Sequence, residues 1–165
     1  MQETDLPLLR LLLRLFPPVC IKTPKDCNTV TVYQLHRTMS FYGGIESYDI
    51  HTYWNNNSET ERKLAWELRE KVLKDFAKEI ESNQIRVYKF WDKPIGPHPI
   101  NMWELDFKDP EIFKVIVPYF QLHHGRLSVL IHPRSKLGAL ADHTTHALWL
   151  GHKVRLDTEI LAGES

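Results

Sequence analysis

The sequence predicts an α+β fold in which a single sheet carries two helices on one of its faces. Segments that alternate apolar and polar residues are separated by segments whose apolar residues recur every three or four positions, the periods of strand and helix. Between residues 47 and 132 these segments run strand, helix, strand, strand, helix, strand. The chain has 165 residues, 42% hydrophobic and 25% charged, enough for one core but not for two full-size domains.

Residues 1–44 read as an N-terminal extension, partly helical or irregular, and 45–165 as the folded domain, with Gly43 and Gly44 as the break between them. The apolar run at 8–16 is interrupted by Arg10 and Arg14 and stops at Pro17 and Pro18, so it reads as a short helix, too short to span a bilayer. Glu3 and Asp5 stand where a secretory leader would carry cations. Cys20 and Cys27 fit no CxxC pattern and read as free thiols in a reducing, cytoplasmic setting.

Residues 47–54 (SYDIHTYW) alternate and are rich in β-favouring types, which predicts the first strand. Residues 55–58 turn. Ser58 and Glu61 have the spacing of a capping box, and Leu64, Leu68, Val72, Phe76 and Ile80 then recur every four positions down one face of a long helix. Residues 85–91 (IRVYKFW) form the second strand, followed by a rigid loop at 93–99 (KPIGPHP) that is too proline-rich for a helix or a sheet interior. Residues 101–107 (NMWELDF) form the third strand.

Asp109, Pro110 and Glu111 begin a second helix, with a capping acid, a proline at the first helical position and an acid suited to the helix dipole. It runs through Phe113, Val117 and Phe120 to Gly125, and Pro118 is expected to bend it or remove one hydrogen bond. Residues 126–132 (RLSVLIH) make the fourth strand, and 147–150 a fifth short strand or a covering segment. This order is that of the ferredoxin-like βαββαβ sandwich with an extra C-terminal strand.

Twenty-one basic and 21 acidic residues leave no net charge, which argues against the broad cationic field of a nucleic-acid binder. Nine histidines are the unusual entry in the composition. The first and third strands are expected to lie parallel at the centre, with the fourth antiparallel beside the first, so that His51, His98 and His132 meet at one edge. Alternation places Asp49, His51 and Tyr53 on the face away from Ile50, Thr52 and Trp54, and adds Ser128, Leu130, His132 and Glu104 to the first set, with Trp103 facing the core.

His143 and His146, three positions apart, share a face only within a helical turn, so at most one of them is taken as a ligand. Asp142 reads either as an acceptor that fixes a histidine tautomer or as a solvent-facing acid. His36, His123, His124 and His152 read as surface or hydrogen-bonded residues, and Trp54, Trp91, Trp103 and Trp149 mostly as core.

The runs YDIHTYW at 48–54, GPHPINMWELDF at 96–107, LSVLIHP at 127–133 and DHTTHALWLG at 142–151 together resemble the fungal-type DOPA 4,5-dioxygenase family. The resemblance implies the ferredoxin-like fold and extradiol cleavage of a catechol, DOPA-like or a catecholic acid, by O2 at a non-haem metal. Fe(II) is the implied ion, with zinc or another divalent ion in recovered protein. His51, His132 and His143 are the expected ligands, with Glu104 as the carboxylate if one of them fails. His98 is the first choice for the residue that takes the second catechol proton and later returns one, and His146 the second.

Glu104 and Arg134 are expected near the substrate, Arg134 or Arg126 receiving its carboxylate. Neither nucleic acid nor membrane is an expected partner, and a homodimer through the exposed sheet is. Two other classes stay open: a non-catalytic dimeric module that binds a metal or small molecule, and a zinc hydrolase.

Overall fold

The computed structural model describes residues 40–163. The readings made for residues 1–39, including the helix at 8–16, Cys20, Cys27 and His36, lie outside the described residues. A short 3-10 turn, Tyr42–Gly44, leads into β1 (Ser47–Tyr53). There follow α1 (Glu59–Asp75), α2 (Ala77–Glu81), β2 (Ile85–Val87), β3 (Met102–Phe107), α3 (Pro110–His123), β4 (Ser128–Arg134), α4 (Ala139–His143) and β5 (Leu148–Leu150).

The strands form one sheet in the order β2-β3-β1-β4-β5, with every neighbouring pair antiparallel. This is the ferredoxin-like arrangement with one strand added beside β4. One expectation is corrected: β1 and β3 run antiparallel, with Tyr53 opposite Met102 and Tyr48 opposite Phe107. The helical crossover brings β2 back parallel to β1, and the connection from β2 to β3 then reverses the chain, so β3 must oppose β1. The start of β3 therefore lies beside the end of β1, and the histidines do not share one sheet edge.

The first predicted helix breaks at Phe76, whose φ of −113° and ψ of 27° leave the helical range while its ring stays in the core. Its buried stripe is Ala65, Leu68 and Val72, and Leu64 turns outward. The capping box is half made: Ser58 Oγ accepts from Glu61 N at 3.2 Å, whereas the Glu61 carboxylate accepts from Asn55 N at 2.8 Å. At α3 the Asp109 carboxylate accepts from Glu111 N at 2.8 Å, as the sequence predicts, and Pro118 sits inside the helix. The β2 ladder stops at Val87, and Trp91 meets Met102 only through an isolated bridge.

Helices α1 and α3 cover one face of the sheet. Ile50, Trp103, Leu105, Val129 and Ile131 point toward them and pack with Leu68, Val72, Phe76, Ile112, Ile116 and Phe120. Each such large side chain contributes about 1.5–3 kcal/mol over its exposed state. The other face is less open than the sequence suggests. Tyr53, Met102 and Leu130 form a second apolar cluster there, covered by Trp91, Ile95 and Ile100 and by Ala147, Trp149, Val154 and Leu156. Among the described residues no helix is long and apolar enough to cross a membrane.

Candidate metal centre

The sheet register explains why distant histidines meet. His51 lies at the middle of β1, opposite Glu104 on β3 and Leu130 on β4. His132 is two positions further along β4, a diagonal neighbour on the same face. The two rings are nearly parallel, at 7°, and their Nε2 atoms are 3.0 Å apart. His143 arrives from α4, its ring centroid 3.9 Å from that of His132 and 6.0 Å from that of His51. One nitrogen from each of His51, His132 and His143 lies within 4.8 Å of the others.

His98 completes a group of four rings, 4.3 Å from His51 and 5.7 Å from His143 between centroids. A tight turn delivers it. Ile95 and His98 exchange both backbone hydrogen bonds, at 3.1 and 3.0 Å, around Gly96 and Pro97. Gly96 takes a φ of 53°, a left-handed conformation that favours glycine. His98 thus reaches His51 by the loop passing over the end of β1, not by a shared strand edge.

Hydrogen bonds fix two of the tautomers. His132 Nδ1 donates to the Pro133 carbonyl and His143 Nδ1 to the Ala139 carbonyl, each at 2.9 Å, so the lone pair of each neutral ring sits on Nε2. His51 is the ring with a conflict. Its Nε2 faces the His132 lone pair, while Glu104 Oε2 stands 3.1 Å from its Nδ1, in a geometry that gives Nδ1 no hydrogen bond. A neutral imidazole has one proton for these two electron-rich neighbours.

A second proton is not available near neutral pH. Burial, reinforced by His143, pushes the His51 pKa down to about 3. Burial and the neighbouring histidines likewise hold His132 and His98 at about 2. A cation at Nε2 would remove the conflict and leave a proton for Nδ1 to share with Glu104. Neutral, buried imidazoles of this kind fit a borderline divalent metal ion.

Around the rings lie groups of mixed outcome. Burial raises the Glu104 pKa, although His98, His132, His143 and Arg134 oppose the rise. Arg134 is exposed and acts electrostatically on Asp49 and Glu104. Arg126 is exposed elsewhere, in a cavity of about 490 Å³ lined also by Tyr53, Asn56 and His152. His146 Nδ1 meets Asp142 Oδ1 at 3.2 Å. Asp142 is buried and accepts from Ser135 N at 2.7 Å and Ser135 Oγ at 2.6 Å, which ties α4 to the end of β4. It does not fix the His143 tautomer, since the Ala139 carbonyl does so from one helical turn back.

Sequence reasoning missed two residues on this face. The Tyr53 hydroxyl lies 2.7 Å from His98 Nδ1, and burial followed by Glu104 raises its pKa well above that of an ordinary phenol. Asp49, opposite both Asp106 and His132, is pushed up to about 7 by burial and by the Asp106 carboxylate. Asp106 is itself paired with Arg86 and accepts from the Tyr88 hydroxyl at 2.9 Å. Strand alternation already set Asp49 and Tyr53 beside His51, so that period was the available signal.

Fold and cluster together define a small α+β protein of ferredoxin-like topology with a three-histidine candidate metal centre on the sheet. A sequence profile of the Dopa 4,5-dioxygenase family matches residues 48–160, and the chain belongs to that family. It is 34% identical over 121 residues to an uncharacterized 21.2 kDa protein of Botryotinia fuckeliana, covering 70% of this chain and 63% of that protein. It is 30% identical over 107 residues to a DOPA 4,5-dioxygenase of Amanita muscaria, covering 65% of this chain and 46% of that protein.

The chain therefore spans less than two thirds of the length of either relative. Among solved structures it resembles a protein of Nostoc punctiforme PCC 73102 described provisionally as a dioxygenase. The TM-score is 0.59 at 30% identity, over 71% of this chain and 91% of that one. The names of the family, of the Amanita muscaria relative and of the Nostoc punctiforme structure point to a dioxygenase.

Proposed function

We propose that this chain, within residues 45–165, opens the ring of a catechol with molecular oxygen. The carbon–carbon bond beside the diol breaks, and both atoms of O2 enter the product, an extradiol cleavage. The observation that most supports this reading is the set of three imidazole nitrogens within 4.8 Å of one another, drawn from β1, β4 and α4. His51, His132 and His143 would hold a ferrous ion, with zinc or another divalent cation in recovered protein. That ion would supply coordination positions where the catechol oxygens and O2 exchange charge. Three protein donors leave such positions open, whereas four favour a closed structural site.

The remaining roles belong to the chain itself. With His51 Nε2 on the ion, Glu104 would take the Nδ1 proton as a hydrogen bond, and it faces the substrate. His98 handles the proton of the second catechol hydroxyl, and Arg134 at the rim receives a substrate carboxylate. His146, the second candidate for proton transfer, supports Asp142 and through it the placement of α4. A cytoplasmic location and a homodimer formed through an exposed sheet edge or the open face complete the proposal.

The test is to load the full chain anaerobically with Fe(II), add a panel of catechols that includes DOPA and catecholic acids, and then admit oxygen. Oxygen uptake with a yellow ring-opened product is the expected outcome. Neither uptake nor colour across the panel would overturn it.

A further inference from the structure

We infer that Tyr53 is a positioning residue: its hydroxyl donates to His98 Nδ1, fixing the His98 proton on Nε2, so that His98 meets the substrate as a hydrogen-bond donor. This rests on the placement of His98 at the second catechol oxygen and assigns the ring the proton-delivering half of that role, not the proton-accepting half. The resting ring gives a hydrogen bond and cannot take a proton at Nε2.

The direction of the Tyr53–His98 bond follows from counting donors. The two atoms lie 2.7 Å apart, and both residues are buried, Tyr53 with 1% and His98 with 5% exposure. If Nδ1 carried the proton and donated to the phenol oxygen, the phenol would need a second partner for its own proton. Among the described residues the Tyr53 hydroxyl has no other hydrogen bond. A buried O–H left without an acceptor costs more than a net hydrogen bond returns. The opposite direction satisfies both atoms: the phenol donates, and the Nδ1 lone pair accepts.

The surroundings hold this pair rigidly. The Tyr53 ring stacks on Trp149 at 5.7 Å between centroids and packs against Met102 and Leu130. His98 is clamped from the backbone side by its paired bonds to Ile95, and Pro97 O accepts from Asp157 N at 2.9 Å. Neither ring can turn without breaking these contacts. The chemical consequence is a preference: the substrate oxygen that meets His98 must be an acceptor, as an ionised catechol oxygen is.

Nitrogen-15 NMR of histidine-labelled full chain, recorded metal-free and again with one equivalent of diamagnetic zinc, reads the tautomer directly. The His98 signals are assigned by their absence in His98→Gln. The expected result is a protonated Nε2 and a lone-pair Nδ1 in the native chain, with the Nδ1 shift moving on Tyr53→Phe. A protonated Nδ1 in the native chain overturns the inference, as does an Nδ1 shift that Tyr53→Phe leaves in place.

In turnover with a catechol, Tyr53→Phe should lower kcat roughly 2- to 12-fold at unchanged KM, the scale of one neutral hydrogen bond. A change confined to KM contradicts a positioning role. Failure of the whole catechol panel in the native chain would instead count against the dioxygenase reading, and the NMR result stands apart from it.

Discussion

The two faces of this sheet are built from the same strands and have opposite chemistry. Toward the helices point Ile50, Trp103, Leu105, Val129 and Ile131, all apolar and at most 1% exposed. On the other face the same strands present Asp49, His51, Glu104, Asp106 and His132. One face supplies the stability that lets the other bury polar groups, of which Asp49 Oδ1 and His51 Nδ1 have no hydrogen-bond partner among the described residues. The two are interleaved residue by residue, so a register slip of a single position would exchange them.

This division can be broken experimentally from either side. The largest effect is expected from His132→Ala. It removes a proposed ligand, the ring between His51 and His143, so the variant should lose metal through gel filtration while keeping its native circular dichroism. Full metal content in that variant would show that the proposed ligand set is wrong.

Next in size is Trp103→Ala on the helix face, where a fully buried ring is replaced by a cavity. A loss of about 3–5 kcal/mol in urea unfolding is expected. The folded fraction should still bind one metal ion. A loss below about 1 kcal/mol would show that the helix face does not carry the fold.

The smallest effect concerns protons. His51, His98 and His132 are held near 3, 2 and 2, far below the ordinary 6.5, so the unfolded chain takes up protons on acidification before the folded one does. Their contribution to stability is complete above about 6.5 and is lost progressively as the pH falls toward 2–3. Asp49 works in the opposite sense, because its pKa rises from 3.8 to about 7 and its contribution fades as the pH climbs through that interval. Three imidazoles outweigh one carboxyl, so the urea midpoint of the metal-free chain should be lower at pH 6 than at pH 7. An equal or higher midpoint at pH 6 would contradict the buried, neutral state of the cluster.

The assignment of residues to faces was legible in the sequence because side-chain alternation has a fixed period of two. It separated His51 and His132 from Ile50 and Ile131 with no knowledge of partners. Strand direction was not legible, since alternation reads the same along parallel and antiparallel neighbours, and β3 was expected the wrong way round. His98 reached the cluster regardless, because the Ile95–His98 turn folds the loop back over β1.

The choice between His143 and His146 depends on where α4 ends. Its last residue is His143, a detail set by Gly138 and by the Ser135–Asp142 bonds rather than by periodicity. Tyr53 was placed on the correct face, but its importance lies in a 2.7 Å contact with a residue 45 positions away. No local pattern encodes such a contact.

X-ray absorption at the zinc edge of the full chain, loaded with one equivalent of zinc, tests the convergence of the three histidines most directly. Three imidazole nitrogens at about 2.0–2.1 Å, completed by light oxygen scatterers, is the expected first shell. A shell with sulfur, or with a single imidazole, would contradict it.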